Sequence, residues 1–391
     1  MDFDLTDEQQ LIRSEIRDLC AEFGDDYWRE RDLNHEYPES FFETFAEHGW
    51  CGLTIPEAYG GQGYGVQEAA LVQQEIARSG AAMAGTSITA HHTFSSEPLV
   101  AFGDEEHKER YLPKIAAGDV QVCTGVTEPN AGTDTSRIET TADRDDEAGI
   151  YRVSGQKIWT SKAQEADVIM LLARTKPREE ADRFGGLTLF FTEFDRDTAS
   201  IEVTEIPKAG RGASDSNEVW FDEYDIPIED RIGEEGEGFR YLLRFANTER
   251  IALAANAVGI GQAALEKAAA YADDRVVFGN EIGSYQGIQH PLADSWSKLE
   301  QDELMVRKAA WLYDNDRDCG AEANAVKLRA SEDALEACER AVRVHGGMGY
   351  ASEYDVERYW RETMINVVAP ISNEMVKNYI AEHVLGLPKS Y

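Results

Sequence analysis

Residues 239–271 read FRYLLRFANTERIALAANAVGIGQAALEKAAAY. The stretch contains no proline and consists mostly of strong helix formers, so at about 1.5 Å per residue it predicts a single helix of roughly 50 Å. Small residues recur along it, at Ala254, Ala257, Gly261, Ala264 and Ala268. Small side chains let neighbouring helices approach closely, and the stretch therefore predicts the central helix of a bundle.

Glu249 has an unusual position on this predicted helix. Its neighbours one turn before and one turn after are apolar: Phe245, Ala246, Ala252 and Leu253. Asn247 and Arg250 fall on the adjacent row, roughly 100° around the helix axis. A glutamate in such a stripe is either an ion-pair partner for a neighbouring helix or a functional carboxylate. These residues alone favour the ion pair.

The overall composition predicts a folded protein of two or three domains with a strongly acidic surface. The chain has 391 residues, of which 74 are Asp or Glu and 38 are Lys or Arg, giving a net charge of -36. Such a surface repels nucleic acid and anionic lipid. Acidity spread along nearly every predicted helix is similar to that of proteins adapted to concentrated salt, a hypothesis about habitat that equal stability at low and molar salt would exclude.

Cysteine usage and the N-terminus predict a protein of the cytoplasm. The five cysteines are odd in number and lack CxxC or metal-ligand spacing, which favours reduced thiols and no metal site. They are Cys20, Cys51, Cys123, Cys319 and Cys338. The N-terminal residues are acidic where a signal peptide needs a basic and then an apolar run, and no 18-residue apolar stretch occurs, so we expect no membrane insertion.

The order of periodic patterns predicts an α+β protein. Thr6 and Gln9 form a capping-box pattern that opens an amphipathic helix, and further helices are predicted at residues 66–79, 86–102 and 105–116, the last capped by Asp104. From Val120 the period becomes two, without intervening helices. We expect an N-terminal helical domain over residues 1–119, a central antiparallel β-barrel-like domain over 120–232, and a C-terminal four-helix bundle over 233–391.

Three dissimilar motifs carry a family resemblance. They are GVTEPNAGTDTS at residues 125–136, KIWTS at 157–161 and HGGMGYASEYDVERYWRE at 345–362. In this order, and with the helix, strand, helix arrangement, the chain resembles the acyl-CoA dehydrogenase family of flavoproteins over nearly its whole length. The resemblance implies FAD bound between the β domain and the helical bundles, often within a homotetramer.

The resemblance also implies which residues hold the cofactor. Those near the flavin ring would be Thr124, Val126, Thr127, Trp159 and Ser161, with Thr133 near both the flavin and the CoA portion of the thioester. Those at the adenine and pyrophosphate end, partly across a subunit interface, would be Arg275, Phe278, Gln286, Arg343, Gly346 and Gly347, and Ser372 and Glu374 are also assigned to the cofactor. Taken singly, Trp159 could be barrel core, Arg275 a surface ion pair and the glycines a helix stop.

The position of the catalytic base differs from that of many family members. Many of them carry it in a Tyr-Glu-Gly-Thr stretch, which aligns here with Ala-Pro-Ile-Ser at residues 369–372, and they have Gln where this chain has Arg343. A subset that includes isovaleryl-CoA and long-chain enzymes places the base on the long helix, directly before an arginine. That position is Glu249, before Arg250, and Asn247 and Arg250 would serve the substrate.

The implied reaction is FAD-dependent α,β-dehydrogenation of an acyl-CoA to the trans-2-enoyl-CoA. Glu249 would remove the α-proton while hydride passes to flavin N5, and electrons would pass on to an electron-transferring flavoprotein. A homotetramer or dimer is expected. The alternatives are an acyl-CoA oxidase or desulfinase-like relative on the same scaffold, or a non-catalytic flavin or acyl-CoA binding protein.

Overall fold

The computed structural model describes residues 4–390, apart from the side chain of His91. The N-terminal part is helical. Its helices are α1 (Asp7–Ala21), α2 (Asp25–Asn34), α3 (Glu39–Glu47), α4 (Val66–Ile76), α5 (Ala82–Phe94), α6 (Glu97–Phe102) and α7 (Glu105–Ala117).

The strands follow, and then the chain returns to helices. The strands of the main sheet are β1 (Val122–Gly125), β2 (Thr141–Asp145), β3 (Ile150–Ser161), β4 (Val168–Arg174), β5 (Leu187–Glu193), β6 (Ile201–Glu205), β7 (Ser216–Pro227) and β8 (Arg231–Ile232). The C-terminal elements are α8 (Gly238–Asp274), the hairpin β9 (Val276–Val277) and β10 (Asn280–Glu281), α9 (Gln286–Asp314), α10 (Gly320–His345), α11 (Val356–Thr363), α12 (Ile365–Val368) and α13 (Asn373–Tyr379). The predicted order of helices, strands and helices is confirmed.

The main sheet is mixed and open, where the sequence predicted an antiparallel, barrel-like arrangement. Its order is β6-β7-β3-β2-β4-β5-β8, with β1 paired to β4. Most pairs are antiparallel, but β1 runs parallel to β4, with Val122 opposite Val168. A parallel neighbour needs a long crossover, and the loop after β1 together with β2 and β3 supplies it. Alternation along single strands could not reveal this, because it is the same in both pairings.

Close packing of small side chains organises the C-terminal bundle around α8, as predicted. Ala254, Ala257, Ala264 and Ala268 are buried, and α8 packs along α10, α9 and the N-terminal helix α4. A Cβ added at Gly261 would lie 2.9 Å from Leu299 of α9 and 3.3 Å from Ala334 of α10. Any side chain larger than hydrogen at Gly261 would therefore push these helices apart.

Two predicted helix starts are confirmed. Thr6 and Gln9 form a reciprocal capping box at the start of α1, and Asp104 Oδ1 accepts a hydrogen bond of 2.8 Å from the His107 amide at the start of α7. Each cap satisfies an amide that has no partner within its helix. Within residues 4–390, no helix is both long and apolar enough to cross a membrane.

The predicted helix over residues 86–102 is interrupted. α5 ends at Phe94 and α6 begins at Glu97, with Pro98 in its first turn. Proline fits a first turn because its missing N–H would have no partner there, but it disfavours a continuous helix before it. The interruption leaves Ser95 and Ser96 between the two helices, at a place that matters for the site.

Candidate active site

The loop after β1 carries the residues predicted to lie at the flavin ring. Thr124 is on β1, the Thr127 carbonyl accepts a hydrogen bond of 2.9 Å from the Ile158 amide, and the Val126 carbonyl lies 3.2 Å from Lys157 Nζ. The first residues of the loop are thus fastened to β3. Their position is set by backbone groups rather than by the loop's own side chains.

A buried ion pair supports this loop from beneath. Lys157 Nζ lies 2.8 Å from Glu128 Oε1, and the Glu128 carboxylate also accepts hydrogen bonds from the amides of Glu139, at 2.7 Å, and Thr140, at 3.0 Å. Burial opposes ionisation of Glu128, but Lys157 and these amides lower the pKa of the carboxyl below its usual value. Glu128 is therefore a charged anchor for both ends of the loop.

Trp159 departs from regular strand geometry. Its φ is +64°, and the pairing of β3 with β7 is irregular between Lys157 and Thr160. Its side chain is 53% exposed, so it is not barrel core. An indole held at the surface by a strained backbone offers a flat apolar face to a planar ligand.

Arg211, which the sequence did not single out, lies beside Ser161. Arg211 Nη2 lies 2.6 Å from Ser216 Oγ and 3.4 Å from Ser161 Oγ, and its Nη1 donates a hydrogen bond of 3.1 Å to Ser87 Oγ on α5. Burial lowers the pKa of this guanidinium. One cation thus joins β3, β7 and α5. A lone arginine between glycines carries no sequence signal for such a role.

Glu249 lies on α8 with an exposed side chain in the isolated chain. Burial by the surrounding protein nevertheless raises the pKa of its carboxyl above the usual 4.5, and the charge of Arg250 opposes the shift. The carboxylate is therefore exposed in the single chain, while nearby protein atoms still disfavour its charged form. The sequence predicted a glutamate among apolar side chains, and the structure shows one whose side chain is exposed.

The two side chains predicted to serve the substrate contact each other. Arg250 Nη1 donates a hydrogen bond of 3.1 Å to Asn247 Oδ1. Arg250 Nε is buried and has no hydrogen-bond partner within residues 4–390. Arg250 therefore keeps an unused donor, and its charge still acts on Glu249, whereas the sequence placed its row facing away.

A three-residue segment links the β1 loop to the helix that carries Glu249. Ser95 Oγ lies 2.9 Å from Thr124 Oγ1, and Glu97 Oε2 lies 2.9 Å from Thr248 Oγ1. Residues two apart in a chain are separated by about 7 Å at most. The residue next to Glu249 is thereby held close to the predicted flavin loop. The sequence did not reveal this link, because a glutamate before a proline is ordinary at a helix start.

Two further sets of predicted residues are Thr133 and the segment in which many family members carry the base. Thr133 is exposed in the loop after β1. Residues 369–372 are held by Lys327, whose Nζ lies 2.7 Å from the Ile371 carbonyl and 2.8 Å from Asn373 Oδ1. Ser372 caps α13, and Glu374 is exposed in its first turn. No side chain of residues 369–372 can accept a proton as a carboxylate does.

The remaining predicted cofactor residues lie at the other end of α8. They are exposed and cluster around the β9–β10 hairpin and the end of α10: Arg275, Phe278, Gln286, Arg343, Gly346 and Gly347. His345, the last residue of α10, stacks on Tyr271 near the end of α8, with ring centroids 4.3 Å apart, so the ends of these two helices lie together. The part of α8 from Glu249 to its end at Asp274 is roughly 37 Å long. The structure therefore separates the predicted cofactor residues into two groups.

The chain is similar to known proteins in both sequence and structure. Three family models match the chain. They are the acyl-CoA dehydrogenase N-terminal domain over residues 6–119, the middle domain over 123–224 and the C-terminal domain over 236–385. The acyl-CoA dehydrogenase FadE12 of Mycobacterium tuberculosis is 34% identical over 388 residues, covering 99% of this chain and 98% of that protein.

Solved structures are similar over nearly the whole chain. The butyryl-CoA dehydrogenase of Megasphaera elsdenii superposes with a TM-score of 0.93 at 30% identity, covering 98% of this chain and 100% of that one. A chain from the structure of the electron transferring flavoprotein of Acidaminococcus fermentans gives a TM-score of 0.93 at 31% identity, with coverage of 98% and 100%.

Proposed function

Because the chain belongs to the acyl-CoA dehydrogenase family, we propose that it oxidises an acyl-CoA thioester to the trans-2-enoyl-CoA with Glu249 as the base. The observation that carries the assignment of Glu249 is the pair of contacts made by residues 95–97. Ser95 contacts Thr124 and Glu97 contacts Thr248, so the residue beside Glu249 is tied to the loop after β1.

The cofactor of this family is FAD, as the sequence predicted. The residues present suit a planar ring, because Trp159 presents an exposed indole beside the polar loop of Thr124 and Thr127. Val126 and Ser161 complete the proposed ring contacts. When bound, FAD supplies an acceptor for the hydride that leaves the β-carbon.

Glu249 would act on the α-proton, which is only weakly acidic. A carboxylate in water is too weak a base for this proton, and desolvation raises its proton affinity. Arg250 opposes that shift without cancelling it. The guanidinium of Arg250 would bind an anionic or carbonyl group of the CoA portion, and Thr133 and Asn247 would bind the same portion.

The distance along α8 supports a homo-oligomer, a tetramer or a dimer. Roughly 37 Å of helix separates Glu249 from the end of α8, so the residues around the β9–β10 hairpin lie far from the proposed base. Arg275, Phe278 and Gln286 would then bind the adenine and pyrophosphate end of the FAD of another subunit. Phe278 is 96% exposed in the single chain, which fits an aromatic residue that is covered by another subunit in the oligomer.

We propose an electron-transferring flavoprotein as the electron acceptor. One relative, 30% identical over 361 residues, is the CarC subunit of the caffeyl-CoA reductase-Etf complex of Acetobacterium woodii. We also propose the cytoplasm as the compartment, because all five cysteines are free and buried.

The test of the reaction is anaerobic addition of saturated acyl-CoAs to the FAD-loaded protein. Bleaching of the flavin absorbance, with formation of the trans-2-enoyl-CoA, is expected for at least one of them. Absence of bleaching across straight and branched chains would identify a binding protein instead. In air, oxygen consumption faster than dye reduction would identify an oxidase.

A further inference from the structure

Glu97 is a titratable group at the site that the proposed reaction does not use. It is the first residue of α6, and its Oε2 lies 2.9 Å from Thr248 Oγ1, on the residue before Glu249. Thr248 is fully buried, whereas Glu97 keeps part of its surface open. The other oxygen, Oε1, has no partner within residues 4–390 and is not sealed from the surrounding space. Glu97 therefore presents an unpaired oxygen beside the base.

Glu97 and Glu249 lie on neighbouring elements, since Glu97 Oε2 contacts Thr248, the residue before Glu249. Both carboxyls are desolvated by the surrounding protein while keeping open surface, and the charge of Glu249 acts on Glu97. The solvent-accessible space beside these two carboxyls is called the cleft. Ser95, two residues before Glu97, contacts Thr124, so Glu97 also lies close to the predicted flavin loop.

The contacts of Thr248 are compatible with either ionisation state of Glu97. Thr248 Oγ1 has one hydrogen but lies within hydrogen-bond distance of two oxygens, Glu97 Oε2 and, at 2.8 Å, the Phe245 carbonyl. If Thr248 donates to the carbonyl, Glu97 must be protonated and donate to Thr248. Burial, with the charges of Glu249 and Asp314, raises the pKa of Glu97 to about 8. A neutral carboxyl can offer either a donor or an acceptor to the cleft.

We propose that Glu97 determines substrate specificity by hydrogen-bonding a hydroxyl group carried by the acyl chain. The inference rests on the proposed function and names its substrate class. A hydroxyl group both donates and accepts, so it pairs with Glu97 wherever the proton lies. A plain alkyl chain leaves Oε1 desolvated and unpaired, which disfavours it. A chain ending in a carboxylate is disfavoured by the charge of Glu249 in the same cleft.

The experiment compares hexanoyl-CoA with its ω- and (ω−1)-hydroxy derivatives on the FAD-loaded protein. We expect kcat/KM for at least one hydroxy derivative to exceed that for hexanoyl-CoA by about tenfold, mainly through KM. Glu97→Leu should reverse this preference, whereas Glu97→Gln, which keeps a donor and an acceptor, should retain it. Glu109→Leu, an exposed glutamate on the neighbouring helix α7, is the matched control and should change neither value.

Binding without turnover provides a second readout. In a Glu249→Gln background, the dissociation constant of the preferred hydroxyacyl-CoA should rise about tenfold on adding Glu97→Leu, while that of hexanoyl-CoA should fall or stay unchanged. An equal preference with and without the Glu97→Leu substitution would overturn the role of Glu97, even if flavin bleaching supports the reaction. Bleaching by no acyl-CoA would instead overturn the proposed function, and the binding ratio would still decide whether Glu97 recognises a hydroxyl.

Discussion

Lys157 and Glu128 form an ion pair of 2.8 Å in which both side chains are buried. The pair lies directly under the loop predicted to hold the flavin ring, because Lys157 also lies 3.2 Å from the Val126 carbonyl. Burial lowers the pKa of Lys157 to about 8, and Glu128 opposes that shift. The structure thus places a desolvated charge pair where loop position matters.

Removing the lysine alone should destabilise the protein strongly. Lys157→Met leaves the Glu128 carboxylate buried and unpaired, at a cost of about 3–5 kcal/mol in the free energy of unfolding. FAD content should fall, because the Val126 carbonyl loses its support. Urea unfolding and the FAD-to-protein absorbance ratio measure both effects.

Two further variants separate the charge effect from simple loss of packing. Lys157→Met combined with Glu128→Gln should recover part of the loss. Lys162 is equally buried but its Nζ donates to a carbonyl, that of Ile88, at 3.2 Å, so Lys162→Met leaves no buried carboxylate behind and should cost less. Equal losses for the two lysine variants would contradict the charge explanation.

Glu249→Gln should abolish turnover while preserving binding. Loss of the general base reduces kcat by about 10²–10⁴-fold, and the amide keeps the size of the side chain. FAD content and the dissociation constant of acyl-CoA should change little. Glu266→Gln, an exposed change on the same helix, is the control. Turnover that survives Glu249→Gln would show that another group removes the proton.

The fall of kcat/KM at low pH should reflect protonation of Glu249. Because burial raises its pKa above 4.5, kcat/KM should fall with decreasing pH at a pH higher than an exposed glutamate would give. Arg250 stabilises the ionised form, so Arg250→Met should move this fall to still higher pH. Glu97, with a pKa of about 8, contacts Thr248 beside Glu249, and its ionisation should add a step on the alkaline side. A fall that stays at the same pH in Arg250→Met would refute the coupling.

Asp302 should make the protein less stable at alkaline pH. Its side chain is 6% exposed between α9 and α10, its Oδ2 has no partner within residues 4–390, and burial, with the charge of Asp333, raises its pKa to about 7. A raised carboxyl pKa contributes stability that is present below the unfolded pKa and is lost as the pH rises through about 7.

Asp302→Asn removes the ionisation and should flatten this dependence. At pH 8 the variant should gain about 2–4 kcal/mol in the free energy of unfolding, with a smaller gain at pH 5. Glu300→Gln, an exposed change on the same helix, should leave the pH dependence as it is. Unfolding in urea at both pH values gives the comparison, and a gain of the same size at both would speak against titration of Asp302.

Most of the fold could be predicted from local patterns. The helix of residues 239–271 became α8, the caps at Thr6 and Asp104 form as expected, and the family resemblance was confirmed. These features depend on periodicity and on contacts within a few residues, which a sequence displays directly. The roles proposed for Glu249 and the cofactor residues remain predictions.

The sequence by itself determined the order of helices and strands, the family and the presence of a glutamate in an apolar stripe of α8. Only the tertiary structure decided that β1 runs parallel to β4, that the side chain of Glu249 is exposed, and that Ser95 and Glu97 connect Thr124 to Thr248. The physical reason is that desolvation and hydrogen bonding depend on atoms far apart in the chain. Glu97 and Thr248 are 151 residues apart, and nothing local to either one indicates that they meet.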